Sequence, residues 1–207
     1  MVWPSFVTSS DFLATFAFAL VGSRIAASRG MDFGGIVLVG GVSSLAGGTV
    51  RNLFLLNQPP WILNPWLFLP VLVAVIFTII SRQVESAGRL VLALDTFGLA
   101  VATVSSTEFA LRHGARPIAA IPLGLIGGVV GGLLRDVLAQ VPPVLLHRET
   151  IGTSCFAGAA AIVLLNEMKV NNIITIAVGG CLIVLIRELS IHFAWDLPRL
   201  SPRDKSS

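Results

Sequence analysis

The sequence predicts an all-α membrane protein with seven transmembrane helices, and three observations lead to that fold class. The chain has 207 residues, of which 55% are hydrophobic and only 12% are charged. Its mean hydropathy of +0.87 is well above what a soluble domain of this length needs to form a core. The apolar residues fall into seven runs, most of them near the length of about 17–25 residues that a membrane-spanning helix requires.

The seven predicted spans are joined by connections that are too short to hold a soluble domain. The spans are Phe12–Ala27, Gly34–Leu56, Trp66–Ile80, Leu90–Leu111, Ile118–Ala139, Thr150–Leu165 and Ile173–Phe193. We expect a single transmembrane domain over residues 1–196, followed by a polar cytoplasmic tail over residues 197–207. The first run is preceded by no basic segment and no cleavage site, so we interpret it as a retained span.

An internal repeat divides the chain, with a displacement of 84 residues, which is the separation of Gly40 from Gly124. At this displacement the segment GGVSSLAGGTVRN, residues 40–52, aligns without a gap with GLIGGVVGGLLRD, residues 124–136. Three less common residue types match at the same displacement: Arg51 with Arg135, Asp11 with Asp95, and Pro59 with Pro143. We therefore predict repeats over about 11–82 and about 95–166, followed by a seventh helix over about 173–193.

Each repeat holds three spans, so its two copies enter the membrane from opposite sides. Inverted repeats pack around a pseudo-two-fold axis in the membrane plane, and their functional sites lie where interrupted helices meet. The second and fifth spans are interrupted by glycine, and the predicted hinges are Gly47, Gly48, Gly127, Gly128, Gly131 and Gly132. Glycine doublets favour a kink, whereas small residues spaced by four favour close helix packing. Both interpretations stay open.

Six polar residues in or near these spans are candidate pore or gate residues: Asp11, Arg51, Asn52, Asp95, Arg135 and Asp136. A charge inside a span usually faces the bundle interior and has a partner. Neighbouring helical residues do not face one another, so we expect Arg135 to pair with Asp95 and not with Asp136. The repeat predicts the equivalent pair between Arg51 and Asp11. The alternatives are snorkelling for the arginines and helix N-capping for the aspartates.

Positive charges predict the orientation of the chain. They concentrate after the first, third and fifth spans and in the tail, as Arg24, Arg29, Arg82, Arg89, Arg148, Arg199, Arg203 and Lys205. The opposite set of connections carries Arg112, Arg116 and Lys169. This bias predicts an N-terminus outside and a C-terminus in the cytoplasm. Arg187 and Glu188, late in the last span, are expected to mark its cytoplasmic end.

The sequence carries no motif for enzymatic chemistry. It has no metal-ligand spacing and no arrangement of nucleophile and base, and its glycine-rich stretch lacks the lysine of a phosphate-binding loop. We predict no enzyme activity, no cofactor, and no metal beyond transient permeant potassium. The basic residues are scattered, which argues against nucleic acid as a partner. Cys155 and Cys181 lie in apolar runs and are interpreted as small hydrophobic residues.

The two inverted three-span repeats, the added seventh span and the motifs GGTVRN and GGLLRD resemble the prokaryotic TRIC (trimeric intracellular cation) channel family up to about Trp195. The resemblance implies a homotrimer in the cell inner membrane, with one potassium-permeable pore per protomer. It also implies that the second and fifth spans form that pore. One departure stands out, because Asn52 occupies the position that Asp136 has in the second repeat. The two halves of the pore would then differ in charge.

We hypothesise that Arg51 and Arg135 act as gate residues, which swing aside to leave oxygen atoms facing a cation path. The main alternative is a secondary transporter for a small polar solute such as a small amino acid, because inverted repeats with broken helices are common in transporters. A helix N-terminus assisted by arginine could hold the carboxylate of such a solute. A purely structural membrane protein would leave the paired arginines unexplained.

Overall fold

The computed structural model describes residues 6–81, 88–142 and 150–193 and places seven long helices close to the predicted spans. They are α1 (Phe6–Ser28), α2 (Phe33–Phe54), α3 (Phe68–Ser81), α4 (Arg89–Arg112), α5 (Pro117–Leu138), α6 (Thr150–Glu167) and α7 (Asn172–Phe193). A short helical turn, Pro60–Leu63, and a 3-10 turn, Pro65–Leu67, lie between α2 and α3. The predicted tail, residues 197–207, lies outside the described residues.

The predicted all-α membrane fold is confirmed. Six of the described helices are long and apolar enough to cross a membrane, and the third span is a shorter apolar helix over Pro65–Ser81. The largest difference in a boundary is at α1, which begins at Phe6 and not at Phe12. The prediction stopped at the charge of Asp11, but that charge is paired inside the fold and the helix continues through it.

The two repeats match in their backbone as well as in their sequence. Gly30 and Gly114 both have positive φ angles, 71° and 78°, in the turns that follow α1 and α4, where glycine is favoured because it lacks a Cβ. Leu56 and Gln140, after α2 and α5, have φ angles of 56° and 52°. Each pair is related by the same displacement of 84 residues, the separation of Gly30 from Gly114. The repeat therefore extends to the conformations that end its helices.

The contact between α2 and α5 shows how the repeats are arranged. A Cβ atom added to Gly47 would overlap the carbonyl oxygen of Gly127, and one added to Gly131 would overlap the carbonyl oxygen of Ser43. In the repeat, Gly47 corresponds to Gly131 and Ser43 corresponds to Gly127, so the two contacts are equivalent. Residue numbers rise along α2 while they fall along α5, so the helices cross antiparallel. The crossing is the centre of an inverted repeat.

The remaining helices pack around this crossing: α1 lies against α2, α4 lies against α5, and α1 and α4 also pack on each other. The third helix of each repeat packs on the other two helices of its copy, α3 on α1 and α2 and α6 on α4 and α5, and α6 also packs on α7. The contact of α6 with α7 is close, since a Cβ at Gly158 or at Gly179 would overlap a side chain of the opposite helix, Ile183 or Ile162. The seventh helix is thus attached to the second repeat.

Candidate functional site

The first site lies where α1 meets the end of α2. The guanidinium of Arg51 donates from Nη1 to Asp11 Oδ1 and from Nη2 to Asp11 Oδ2, both at 3.1 Å. Arg51 is 1% exposed, so it does not snorkel toward the headgroups. Asp11 lies inside α1 and is not its N-cap. The structure brings the two residues together as expected, and their role in a pore stays a prediction.

Three further side chains complete the first site. The Ser105 hydroxyl, on α4, donates to Asp11 Oδ1 at 2.8 Å and accepts from Arg51 Nη1 at 3.2 Å. Arg51 Nε donates to Asn52 Oδ1 at 3.0 Å, and the Phe109 ring lies 4.2 Å from the guanidinium carbon. Sequence analysis missed Ser105 and Phe109, because they come from the other repeat and no spacing within the chain links them to Arg51.

The second site repeats this arrangement where α4 meets the end of α5. Arg135 Nη1 donates to Asp95 Oδ1 at 2.6 Å, and Arg135 is 4% exposed. Asp95 lies within α4, so it does not cap that helix. The expectation that Asp136 would not pair with Arg135 is wrong, since Arg135 Nε donates to Asp136 Oδ1 at 2.8 Å. The long arginine side chain folds back far enough for its Nε to reach the next residue.

The second site also contains an arginine that sequence analysis assigned to a helix end. Arg187, on α7, is 3% exposed. Its Nη2 donates to Asp95 Oδ2 and its Nε donates to Thr96 Oγ1, both at 2.8 Å. Arg187 is therefore part of the buried cluster and does not simply mark the end of its span. One feature of the sequence could have pointed to Arg187: the second repeat has the negative charge of Asp136 where the first has the neutral Asn52.

The two sites lie on opposite sides of the helix crossing. Arg51 follows Gly47 by four residues and Arg135 follows Gly131 by four, which is about 6 Å along each helix. Because α2 and α5 are antiparallel, these steps lead in opposite directions. The hydrocarbon core is about 30 Å thick, so a crossing near its midplane leaves both guanidinium groups at hydrocarbon depth.

Two cavities meet at the first site. One of about 230 Å³ touches Asp11 and Arg51 and reaches Val7, which precedes Asp11 along α1. The other, of about 30 Å³, touches the same pair and reaches Ala14, which follows Asp11 along α1. The smaller cavity has room for about two water molecules. The ion pair of Arg51 and Asp11 thus lines both cavities, at the place where the wider one meets the narrower one.

Four of the six predicted hinge glycines are required by close packing. Gly47 and Gly131 form the crossing itself, and a Cβ at Gly127 or Gly128 would overlap the hydroxyl of Ser106 or Thr103 on α4. Both α2 and α5 are continuous helices through these positions. The close-packing interpretation therefore accounts for these four glycines, and a kink stays a prediction.

The other two glycines, Gly48 and Gly132, lie beside the arginines. A Cβ at Gly132 would lie 3.6 Å from Arg135 Nη2, and one at Gly48 would lie 3.2 Å from Pro60 Cγ and 3.9 Å from Arg51 Nη2. The doublets Gly47–Gly48 and Gly131–Gly132 thus each place one glycine against the opposite helix and the other near a guanidinium, whereas both glycines of Gly127–Gly128 face α4. Among the residues that the structure describes, no group of three or more His, Cys, Asp or Glu side chains could hold a metal ion.

Comparison with known proteins identifies the family of the chain. The family model described as glycine transporter matches it twice, over residues 8–83 and 92–167. The matched segments begin 84 residues apart, the displacement found within the sequence. The UPF0126 inner membrane protein YadS of Escherichia coli K12 is 34% identical over 151 residues, which cover 72% of this chain and 73% of that protein. The chain belongs to this family of membrane proteins.

Solved structures share the complete fold. The TRIC trimeric intracellular cation channel orthologue from Rhodobacter sphaeroides superimposes with a TM-score of 0.85 at 31% sequence identity, covering 91% of this chain and 98% of that one. A second TRIC cation channel gives a TM-score of 0.83 at 26% identity, covering 94% and 97%. The predicted resemblance to prokaryotic TRIC channels is confirmed. The matching structures are described as channels and not as enzymes, in agreement with the sequence analysis.

Proposed function

We propose that the chain is a channel for potassium and other monovalent cations, with one pore in each protomer of a homotrimer. The pore follows α2 and α5 and is closed by the two buried guanidinium–carboxylate pairs, Arg51 with Asp11 and Arg135 with Asp95. The protein lies in the inner membrane with its N-terminus outside and its C-terminus in the cytoplasm. The trimeric cation channels with the same fold support this proposal, as does the distribution of basic residues between the connections.

The observation that carries the proposal is the position of the first ion pair between two cavities. With Arg51 bound to Asp11, the path beyond the wider cavity narrows to a space of about 30 Å³. If Arg51 turns into the wider cavity, water solvates the guanidinium and Asp11 is left to face the path. A carboxylate with the hydroxyl of Ser105 beside it is an oxygen-rich site of the kind that cations bind and leave.

Gly132 suits this movement because it leaves room next to the guanidinium of Arg135, while the space at Gly48 is shared between Pro60 and the guanidinium of Arg51. Breaking a buried ion pair is strongly unfavourable unless both partners are solvated. The open state therefore requires water on both sides of the pair. A kink at the glycine doublets would widen the same region, and this remains part of the proposal.

Planar-bilayer recording tests the proposal directly. In a potassium gradient, purified protein should give unitary currents that reverse near the potassium equilibrium potential. Arg135→Ala should raise the open probability, because it removes the group that closes the second site. The matched control is Arg116→Ala, at an exposed arginine that precedes α5. Open probability and conductance equal to the wild type in Arg135→Ala would remove Arg135 from the pore.

A second candidate function is the transport of a small zwitterionic amino acid. The family description favours it, and the first site offers a guanidinium for a carboxylate and a carboxylate for an ammonium group next to a cavity of about 230 Å³. Liposome flux separates the two functions. A carrier would take up labelled glycine with saturable kinetics and give no unitary potassium current, whereas the proposed channel gives unitary currents without saturable glycine uptake.

A further inference from the structure

The seventh helix has no counterpart in the repeat, yet it supplies a buried charge to the second site. Arg187 donates to Asp95 Oδ2 and to Thr96 Oγ1, both at 2.8 Å. Asp95 is therefore shared between two guanidinium groups, because its other oxygen accepts from Arg135 at 2.6 Å. At the first site, the one guanidinium of the described residues that donates to Asp11 is that of Arg51, and it reaches both oxygens.

The charges of the two sites balance in different ways. At the first site Arg51 faces Asp11, and its neighbour Asn52 is neutral. At the second site, among the described residues, ion pairs link four charged side chains into one chain: Arg187 with Asp95, Asp95 with Arg135, and Arg135 with Asp136. Both sets are neutral while their gate arginines are in place. If Arg135 swings aside, the net charge of Asp95, Asp136 and Arg187 is −1. This equals the net charge of the first site without Arg51, which is that of Asp11 alone.

Arg187 is held in a way that Arg135 is not. Arg187 donates to two neighbouring residues of α4, Asp95 and Thr96, whereas Arg135 has a glycine, Gly132, beside its guanidinium. A movement of Arg135 therefore leaves the contact between Arg187 and Asp95 intact. Without Arg187, the displacement of Arg135 would leave two carboxylates and a charge of −2.

We propose that Arg187 is a fixed counter-ion that determines the valence preference of the second site. This inference rests on the proposed channel function. A site with one excess negative charge binds a monovalent cation weakly enough to release it, as conduction requires. A site with two carboxylates and no counter-ion attracts a divalent cation far more strongly, because the Coulomb energy grows with both charges. Arg187 thus prevents the open second site from trapping divalent cations.

The test is the block of potassium current by Ba²⁺, which has a size similar to that of K⁺ and twice its charge, added on the side of the C-terminus. Arg187→Gln should lower the half-blocking Ba²⁺ concentration by roughly tenfold or more. The double variant D136N/R187Q should return it to near the wild-type value, because it gives the second site the charges of the first. Glu188→Gln, at the exposed neighbouring residue of the same helix, is the matched control. An unchanged block in Arg187→Gln, or no recovery in D136N/R187Q, would overturn the inference.

Two further comparisons keep the inference testable if Arg187→Gln does not fold. Asp136→Asn should lower potassium conductance, since the open site then has no net charge, and adding Arg187→Gln to it should raise conductance again. A double variant that conducts no better than Asp136→Asn contradicts the proposal. Thermal unfolding in detergent gives a measure that needs no current, with D136N/R187Q melting above Asp136→Asn, because the double variant again matches one arginine with one aspartate. If the wild type carries no current, the channel proposal fails, while this unfolding comparison still judges the charge balance.

Discussion

The two buried arginine sites have the same backbone geometry but different chemistry. In each, an arginine at the end of a glycine-rich helix donates Nη1 to an aspartate of a neighbouring helix and Nε to the next residue of its own. The first site adds a hydroxyl and an aromatic ring, and the second adds a second ion pair. A duplicated fold thus keeps its positions while each copy satisfies its buried charges with different residues.

Asn52 and Asp136 show why the two copies are not interchangeable. Asn52 accepts from Arg51 Nε through Oδ1, and its Nδ2 donates to the carbonyl oxygen of Gln58 at 2.7 Å. A carboxylate at this position has no proton to donate to that carbonyl. Asp136 contributes a negative charge instead, and Arg187 accompanies it on the seventh helix. The amide of Asn52 and the carboxylate of Asp136 differ in a single atom, and the carboxylate is accompanied by a further arginine on α7.

The largest expected effect comes from breaking the crossing that both sites share. Gly131→Ala places a methyl group on the carbonyl oxygen of Ser43, and we expect a loss of stability above both the roughly 1–3 kcal/mol of ordinary overpacking and the about 3–5 kcal/mol of a broken buried ion pair. Alanine is therefore already too large for this position. Gly132→Ala is the matched control, because its methyl group would meet Arg135 at an ordinary 3.6 Å. The measurement is the thermal unfolding of both variants in detergent, and equal melting temperatures would contradict the packing argument.

The next prediction compares the two aspartates. Asp95→Asn removes the anionic partner of two guanidinium groups, whereas Asp11→Asn removes that of one. Breaking a buried ion pair costs about 3–5 kcal/mol. We expect the loss of stability in Asp95→Asn to be near or above the upper end of this range, and the loss in Asp11→Asn to be lower within it. If Asp11→Asn melts at the same temperature as Asp95→Asn or below it, Arg187 contributes no ion-pair stability.

Sequence analysis predicted the parts of the fold and site that the repeat encodes. The displacement of 84 residues, the separation of Gly30 from Gly114, placed Arg51 with Asp11 and Arg135 with Asp95, because both partners lie within one copy. It missed Ser105 and Phe109, which reach Arg51 across the interface of the copies. It also misassigned Arg187, since the seventh helix has no copy with which to compare it. Contacts between the repeats depend on the angles at which their helices pack, and these angles cannot be predicted from the spacing of residues along the chain.

A smaller effect is expected from adding the missing charge to the first site. Asn52→Asp places a carboxylate against the Gln58 carbonyl and adds a negative charge. Arg112, which lines the same cavity, is already paired with Glu108. The lost donor and the repulsion should cost about 1–3 kcal/mol. Asn52→Ser, which keeps a proton donor and adds no charge, separates the two contributions. A melting temperature of Asn52→Asp equal to the wild type would show that the amide is not needed and that the first site tolerates the charge of the second.

The smallest effect is expected at Ser105, whose hydroxyl joins the arginine and the aspartate of the first site. The equivalent position in the other repeat is Val21, which offers no hydroxyl to the second site, where Arg187 donates to the aspartate. Ser105→Ala should destabilise the protein by about 1 kcal/mol. It should also raise open probability modestly, because Asp11 then holds Arg51 without the help of the hydroxyl. Ser154→Ala is the control, since that buried serine donates to a carbonyl of its own helix. If both variants lower the melting temperature and change the currents equally, the hydroxyl of Ser105 has no special role, and the first site closes by its ion pair alone.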